Sequence, residues 1–248
     1  MIHIFLILAL LFVGCGESTQ SSLAGANSFG FFRWKAVLMT GDDSINAFDN
    51  ARKKVAEVIT NEGVEPSNII HLSRSSSQQV GGVKASSAAN FRQAFVDQNL
   101  NTWDACFAFI TSHGSRSGFY IRGQSDFTPA AYNSILQDTC GDRPTVILVS
   151  ACYSGIFAEP VMRKPNRIIL TAASKDRTSF ACEAEATYTY WDGCLIDSFA
   201  TPAQTRDDLY ASIKTCIERK EGAQGETPSQ PQGFFGVDIA NYPIFERF

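Results

Sequence analysis

Short apolar runs alternate with amphipathic stretches over most of this 248-residue chain, beginning near Lys35. Runs of this kind, stopped by glycine, serine or another polar residue, are typical of strands that are buried on both faces of a sheet. They occupy residues 35–40, 68–72, 104–112, 144–151 and 167–173. A last segment, 234–240, is predicted to be a further strand or a tail packed on the sheet.

Between these runs, apolar residues recur at the spacing of amphipathic helices, behind residues that commonly cap helices. The predicted caps are Asp43 or Ser44, Ser86 or Ser87, Thr128, and Thr205 in a capping box with Asp208. Strands that alternate with helices form a mostly parallel sheet with helices on both faces. The sequence therefore predicts an α/β fold with three layers, αβα.

Composition narrows the class of protein. The chain is 44% apolar and 19% charged, with 9 Pro and 18 Gly, which fits one globular domain and excludes disorder, collagen and coiled coil. The formal charge is −4 and the pI is about 5.4, with no basic run. Nucleic acid is therefore not an expected partner. Only 7 Cys and 3 His are available for the chemistry of a site.

An unbroken apolar run, Ile4 to Val13, opens the chain and is far shorter than the roughly 20 residues of a membrane-spanning helix. It indicates an export signal. The sequence Phe12-Val-Gly-Cys15 resembles a bacterial lipobox, in which the cysteine is lipidated and begins the mature chain. An ordinary cleaved signal peptide or a buried strand are the alternatives. The predicted organisation is a lipoprotein signal peptide at 1–14, a flexible tether at 15–33 and one domain at 34–248.

Two strand ends carry residues suited to covalent catalysis. The run 104–112 leads into His113 and Gly114, and the run 144–151 leads into Cys152. Chemistry gathers at the carboxyl ends of the strands in a parallel sheet, so we expect these residues to lie side by side. A catalytic thiolate needs a nearby base or cation. His113 is the histidine that the topology places there, because His3 lies in the signal and His71 ends another strand.

Cys152 is therefore predicted to be a nucleophile and His113 its general base. The backbone N–H groups of Cys152 and Gly114 are predicted to stabilise the oxyanion of a tetrahedral intermediate. Alternatively, His113 is a hydrogen-bonded turn residue and Cys152 a small buried side chain. The sequence has no Gly-x-Ser-x-Gly elbow, phosphate-binding glycine loop, Cys-x-x-Cys pair or zinc motif, so neither a metal nor another cofactor is expected.

Three segments carry a resemblance to a known family. They are Phe107-Ala-Phe-Ile-Thr-Ser-His-Gly114, Val146-Ile-Leu-Val-Ser-Ala-Cys-Tyr-Ser-Gly155, and Thr171-Ala-Ala together with Thr178-Ser-Phe-Ala-Cys182. They resemble the legumain family of cysteine peptidases, which shares the caspase fold and includes the catalytic subunit of the GPI-anchor transamidase. The resemblance runs from about Lys35 to about Phe199.

This resemblance implies a caspase-like fold and a set of catalytic roles. By position, Cys152 is the nucleophile, His113 the general base and Gly114 the second oxyanion donor. Asn46, just after the first strand, matches the asparagine that orients the histidine in the family. Its alternative role is to cap a helix.

The resemblance also places a substrate pocket, in which this chain departs from the family. Where legumain has an arginine and a histidine after that asparagine, and a glutamate after the nucleophile, this chain has Phe48, Asp49 and Tyr153. Asp192 matches an aspartate of the pocket, and Thr178 and Ser179 match its hydroxyl residues. One hypothesis is cleavage after Arg or Lys, because a buried carboxylate needs a cationic partner. Asp49 and Asp192 are equally suited to capping helices or turns.

The remaining cysteines predict one disulfide bond near the site. An exported chain lies in an oxidising compartment, and Cys182 with Cys194, or either of them with Cys140, is the predicted pair. Cys106 within a strand and Cys216 on a helix stripe are predicted to be reduced and buried.

The leading functional hypothesis is a cysteine endopeptidase that acts on polypeptides from the periplasmic side of a bacterial cell envelope, held to the membrane through lipid on Cys15. A transpeptidase, in which an amine resolves the thioester, is an alternative on the same scaffold. A catalytically inactive, caspase-like binding lipoprotein is the non-enzymatic alternative.

Overall fold

A computed structural model describes residues 32–181, 185–200 and 206–239. Its strands are β1 (Arg33–Thr40), β2 (Ile69–Ser73), β3 (Lys84–Ala85), β4 (Asp104–Thr111), β5 (Thr145–Ser150), β6 (Arg167–Thr171) and β7 (Gln232–Phe235). Its α-helices are α1 (Asn46–Asn61), α2 (Ala88–Asp97), α3 (Pro129–Thr139), α4 (Tyr190–Phe199) and α5 (Arg206–Gln224).

The strands form one sheet in the order β3-β2-β1-β4-β5-β6-β7, parallel throughout except for β7, which pairs antiparallel with β6. One face of the sheet packs against α1, α4 and α5, and the other against α2 and α3. These two cores, separated by the sheet, confirm the predicted α/β fold with helices on both faces. The strand β7 bears out the strand prediction for 234–240 only at its first two residues, and residues 236–239 lie beyond the strand.

Helix starts agree with the sequence in two places and differ in a third. The hydroxyl oxygens of Ser87 and Thr128 accept hydrogen bonds from the backbone N–H groups of Asn90 and Ala131, as expected for caps. The N-cap of α1, however, is Ile45, which makes no side-chain cap bond. Asp43 and Ser44 were the predicted caps, and their side chains bond elsewhere. Thr205 lies outside the described residues.

The helix α4 was not predicted. It is buried around most of its circumference, including Trp191, Asp192 and Cys194, so it lacks the polar stripe by which an amphipathic helix is recognised. Thr189 caps it by accepting a hydrogen bond from the backbone N–H of Asp192 at 3.1 Å.

The disulfide prediction was wrong. The bonds join Cys106 to Cys140 and Cys194 to Cys216. Cys106 faces the α2 and α3 side of the sheet, where Cys140 is the C-cap of α3. Cys194 lies on α4 and faces α5. Because α4 was not predicted, its bond to Cys216 on α5 could not be predicted either. Cys182 lies outside the described residues.

None of the helices in the described ranges is both long and apolar enough to cross a membrane. The predicted signal segment 4–13, the tether and Cys15 lie outside those ranges.

Candidate active site

The sheet brings the predicted base and nucleophile to the same edge. Gly41 donates a backbone hydrogen bond to the carbonyl oxygen of Thr111 at 3.0 Å, and Ser112 donates one to that of Ser150 at 3.1 Å. These bonds continue the pairing of β1, β4 and β5 just beyond the ends of the strands. His113 and Cys152 follow directly, so the topological prediction that they share one edge is met.

Gly114 is in direct contact with the nucleophile loop. A Cβ atom at Gly114 would overlap the carbonyl oxygen of Cys152 and would lie 2.9 Å from Cβ of Ala151. Only glycine permits so close an approach of two backbones. Among the described residues, the backbone N–H groups of Gly114 and Cys152 have no hydrogen-bond acceptor. Both are therefore available to an oxyanion.

The imidazole of His113 is held on its outer side by the segment after β1. Its Nε2 lies 3.5 Å from Oδ2 of Asp42 and 3.4 Å from Oγ of Ser44. The hydroxyl of Ser44 in turn donates to the Asp42 carboxylate. The ring of Phe48 meets the imidazole edge-on, with centroids 5.2 Å apart and an interplanar angle of 87°. The side chains of Asp42 and Ser44 contact His113, which explains why neither of them caps α1.

Asn46 occupies a different place from that implied by the resemblance. It is exposed at the first residue of α1, and the side-chain contacts of His113 Nε2 are with Asp42 and Ser44. Sequence reasoning missed Asp42. Asp42 lies two residues after the end of β1, the strand next to β4 in the sheet, and this position was its signal in the sequence. Acidic residues after strand ends commonly cap helices, so Asp42 was not singled out.

The thiol of Cys152 is half-buried and contacts the loop after β6. Its Sγ accepts a hydrogen bond from the N–H of Ser179 at 3.3 Å and lies 3.5 Å from the carbonyl oxygen of Ser179 as a donor. The next residue, Tyr153, has φ of 57°, a conformation uncommon for residues other than glycine. Its N–H donates to the carbonyl oxygen of Arg177 at 2.7 Å. The loop 174–181 therefore contacts this turn twice, through Ser179 at the thiol of Cys152 and through Arg177 at the backbone of Tyr153.

The predicted pocket residues fall into different environments. Thr178 is exposed, Ser179 meets the thiol through its backbone, and Tyr153 lies beneath the guanidinium of Arg116 at 5.0 Å. Asp49 is buried and already has a cation, because Arg52 Nε lies 2.8 Å from its Oδ1.

His71 extends the ion pair of Asp49 and Arg52. The guanidinium of Arg52 lies 2.8 Å from Nδ1 of His71. Burial, together with the charge of Arg52, lowers the pKa of His71 to about 4. His71 is therefore neutral at neutral pH and lies in a packed polar cluster, apart from His113.

Asp192 lies beneath the two catalytic positions. Its Oδ2 accepts a hydrogen bond from Thr111, two residues before His113, at 2.9 Å. Thr189, which caps its helix, lies 3.5 Å from the hydroxyl of Ser150, two residues before Cys152. Burial raises the pKa of Asp192 to about 6, although the hydroxyls of Ser150, Thr111 and Thr189 oppose the shift. Its Oδ1 has no hydrogen-bond partner among the described residues.

The assembled groups are those of acyl transfer through a thiol. A thiol, an imidazole and two N–H groups without an acceptor among the described residues share one edge of the sheet. Within the described residues, no three side chains of His, Cys, Asp or Glu are grouped as metal ligands.

Comparisons with known proteins identify the fold and the family of the chain. The chain has the fold of a crystal structure of caspase-1 from Spodoptera frugiperda, with a TM-score of 0.58 and 13% identity over 83% of this chain and 87% of that one. No curated protein matches the sequence significantly. The model of the peptidase C13 family, the legumain family, matches residues 82–235, more than half of the chain and a range that includes His113, Cys152 and Asp192. The chain therefore belongs to the peptidase C13 family of caspase-fold cysteine peptidases.

Proposed function

We propose that the protein is a cysteine endopeptidase that hydrolyses peptide bonds through a thioester on Cys152. Membership of the C13 family supports cysteine peptidase activity in general. The observation that supports the finer proposal is the contact between Gly114 and the Cys152 backbone, which brings the segment of His113 against that of Cys152 at one edge of the sheet.

The chemistry follows from these groups. His113 takes the proton of the thiol as sulfur attacks the peptide carbonyl, and the N–H groups of Gly114 and Cys152 receive the oxyanion. The carbon–nitrogen bond then breaks, and His113 returns the proton to the leaving amine. Water, activated by His113, hydrolyses the thioester and releases a carboxylic acid and the free thiol.

We expect a thiol-reactive peptide probe to label the wild-type protein and not Cys152→Ala. His113→Ala should slow both labelling and peptide cleavage by about 10²–10⁴-fold, the usual contribution of a general acid or base. His71→Ala is the matched control, because it removes a histidine outside the site and should leave labelling at the wild-type rate. Labelling is measured by intact-protein mass spectrometry.

Equal labelling of wild type and Cys152→Ala would refute the enzyme proposal and favour a binding protein. Product analysis with an added amine acceptor separates hydrolysis from transpeptidation, since only the second yields a new amide.

Two further parts of the proposal concern substrate and location. The predicted preference for Arg or Lys now depends on Asp192, because Asp49 is paired with Arg52 and no ion pair is formed by Asp192 among the described residues. For location, we propose that the chain is tethered to the cell envelope through lipid on Cys15 and faces the periplasm. The two disulfide bonds support an oxidising compartment.

A further inference from the structure

We propose that Asp42 is the residue that positions His113 and gives this site a charged third member. The inference rests on the proposed function and assigns the role that sequence similarity had given to Asn46. Oδ2 of Asp42 lies 3.5 Å from Nε2 of His113, whereas Asn46 is exposed on α1.

The contact selects which nitrogen of the imidazole works. Because the hydroxyl of Ser44 gives its proton to Asp42, it can only accept a proton from Nε2 of His113, 3.4 Å away, so Nδ1 is left with the lone pair that accepts and returns the catalytic proton. Phe48 restrains the ring edge-on from α1 and so limits its rotation. Asp42 and Phe48 together fix both the tautomer and the orientation of the base.

Asp42 is suited to this role by its own environment. Its side chain is 5% exposed, and a buried carboxylate is tolerated only when hydrogen bonds or charges satisfy it. Ser44 donates to it, and Arg122 Nε is 4.0 Å from its Oδ1. The closest ion pair of Arg122 is with Asp43 instead. The negative charge of Asp42 is therefore left to face the histidine.

A carboxylate in this position does more than an amide would. When His113 takes the proton of Cys152 it becomes a cation, and a buried negative charge 3.5 Å away stabilises that cation. The other titratable or charged groups around the ring are Asp43, Tyr120, Arg122 and Cys152. Among the described residues, Asp42 is the acid whose carboxylate lies within 4.0 Å of a ring nitrogen of His113.

The test compares Asp42→Asn, Asp42→Ala and the neighbouring Asp43→Asn, which removes a charge without removing a contact of His113. Asp42→Ala should lower kcat by about tenfold to a hundredfold with KM within about twofold, less than the loss of the base itself. In Asp42→Asn the side-chain oxygen still accepts the hydrogen bond of Ser44, so its kcat should lie between that of the wild type and that of Asp42→Ala. Asp43→Asn should keep the wild-type kcat and KM.

A second readout does not depend on activity. The NMR shifts of the two ring nitrogens of His113 should give the signal of the Nε2-protonated tautomer in the wild type and in Asp42→Asn, and that signal should be replaced by a mixture of tautomers in Asp42→Ala. The inference is overturned if Asp42→Ala keeps this signal, if it keeps wild-type kcat, or if Asn46→Ala loses activity and Asp42→Ala does not. Failure of the peptide probe to label the wild type would refute the proposed function instead, and the NMR signal would still decide the role of Asp42.

Discussion

Gly114 allows the segment of His113 to pack directly against that of Cys152, because no side chain fits in its place. Its Cα rests against the backbone of Cys152, so the two catalytic loops form one packed unit. Its N–H is one of the two donors proposed for the substrate oxyanion.

Gly114→Ala should therefore damage the site more than the fold. The new methyl group meets backbone, which relaxes poorly, at a cost in unfolding free energy of about 1–3 kcal/mol. Displacement of one oxyanion donor should lower kcat by about 10²–10³-fold. Urea unfolding and peptide cleavage measure the two effects.

Gly222→Ala is the control, since a Cβ atom at that exposed position of α5 meets nothing within 4 Å. It should leave activity unchanged. Wild-type cleavage by Gly114→Ala would show that the glycine is not needed for the geometry of the site.

Single residues were predictable where the strand pattern constrained them. His113, Gly114 and Cys152 each follow an apolar run that a parallel sheet must bring to the same edge. Asp42 follows such a run too, but aspartate before a helix has an ordinary role as a cap. Its contact with the histidine depends on the side-chain directions of Asp42 and Ser44, which no periodicity encodes.

At the level of elements, α4 matters most because it carries a buried acid beneath the site. Asp192 holds its proton more tightly when folded, with a pKa of about 6 against an ordinary value of 3.8. For a raised carboxyl pKa, the stabilising contribution is complete below the ordinary value and is lost as the pH rises through the folded value.

Asp192→Asn removes this dependence. Relative to the wild type, its free energy of unfolding should increase by on the order of 1–3 kcal/mol between about pH 4 and pH 7. Urea unfolding at several pH values measures the difference. Asp138→Asn, an exposed acid on α3, is the control and should give a nearly constant difference. A constant difference for Asp192→Asn as well would contradict the burial argument.

Strands and helices were predicted correctly where the spacing of their apolar residues was regular. The buried strands and the helices behind Ser87 and Thr128 follow from apolar runs and caps. The helix α4 was not predicted because eight of its residues are buried. It therefore lacks the polar face by which an amphipathic helix is recognised in a sequence. Both errors in disulfide pairing followed from placing cysteines without that helix and without the register of α3 against β4.

For the whole molecule, the fold class was predictable because alternating strands and helices admit few packed arrangements. The side-chain contact of Asp42 with His113 was not. The match to the family model begins at residue 82, so the segment with Asp42 and Asn46 lies before the matched range.

The proposed envelope location belongs to this scale as well. Mass spectrometry of the mature protein should find an acyl-modified Cys15 as its first residue, and Cys15→Ser should release the protein from the membrane fraction. Ser21→Ala, a change in the same predicted tether, should leave it there. A soluble mature chain without an acyl group on Cys15 would exclude the lipoprotein.

The two disulfide bonds also determine whether the fragments of a cleaved chain stay joined. One bond encloses His113, between Cys106 and Cys140, and the other encloses residues 195–215. A single nick inside either loop leaves both fragments covalently joined, one bond on each face of the sheet. Self-processing at such a position would leave one full-mass band on a non-reducing gel, and two bands would separate only after reduction.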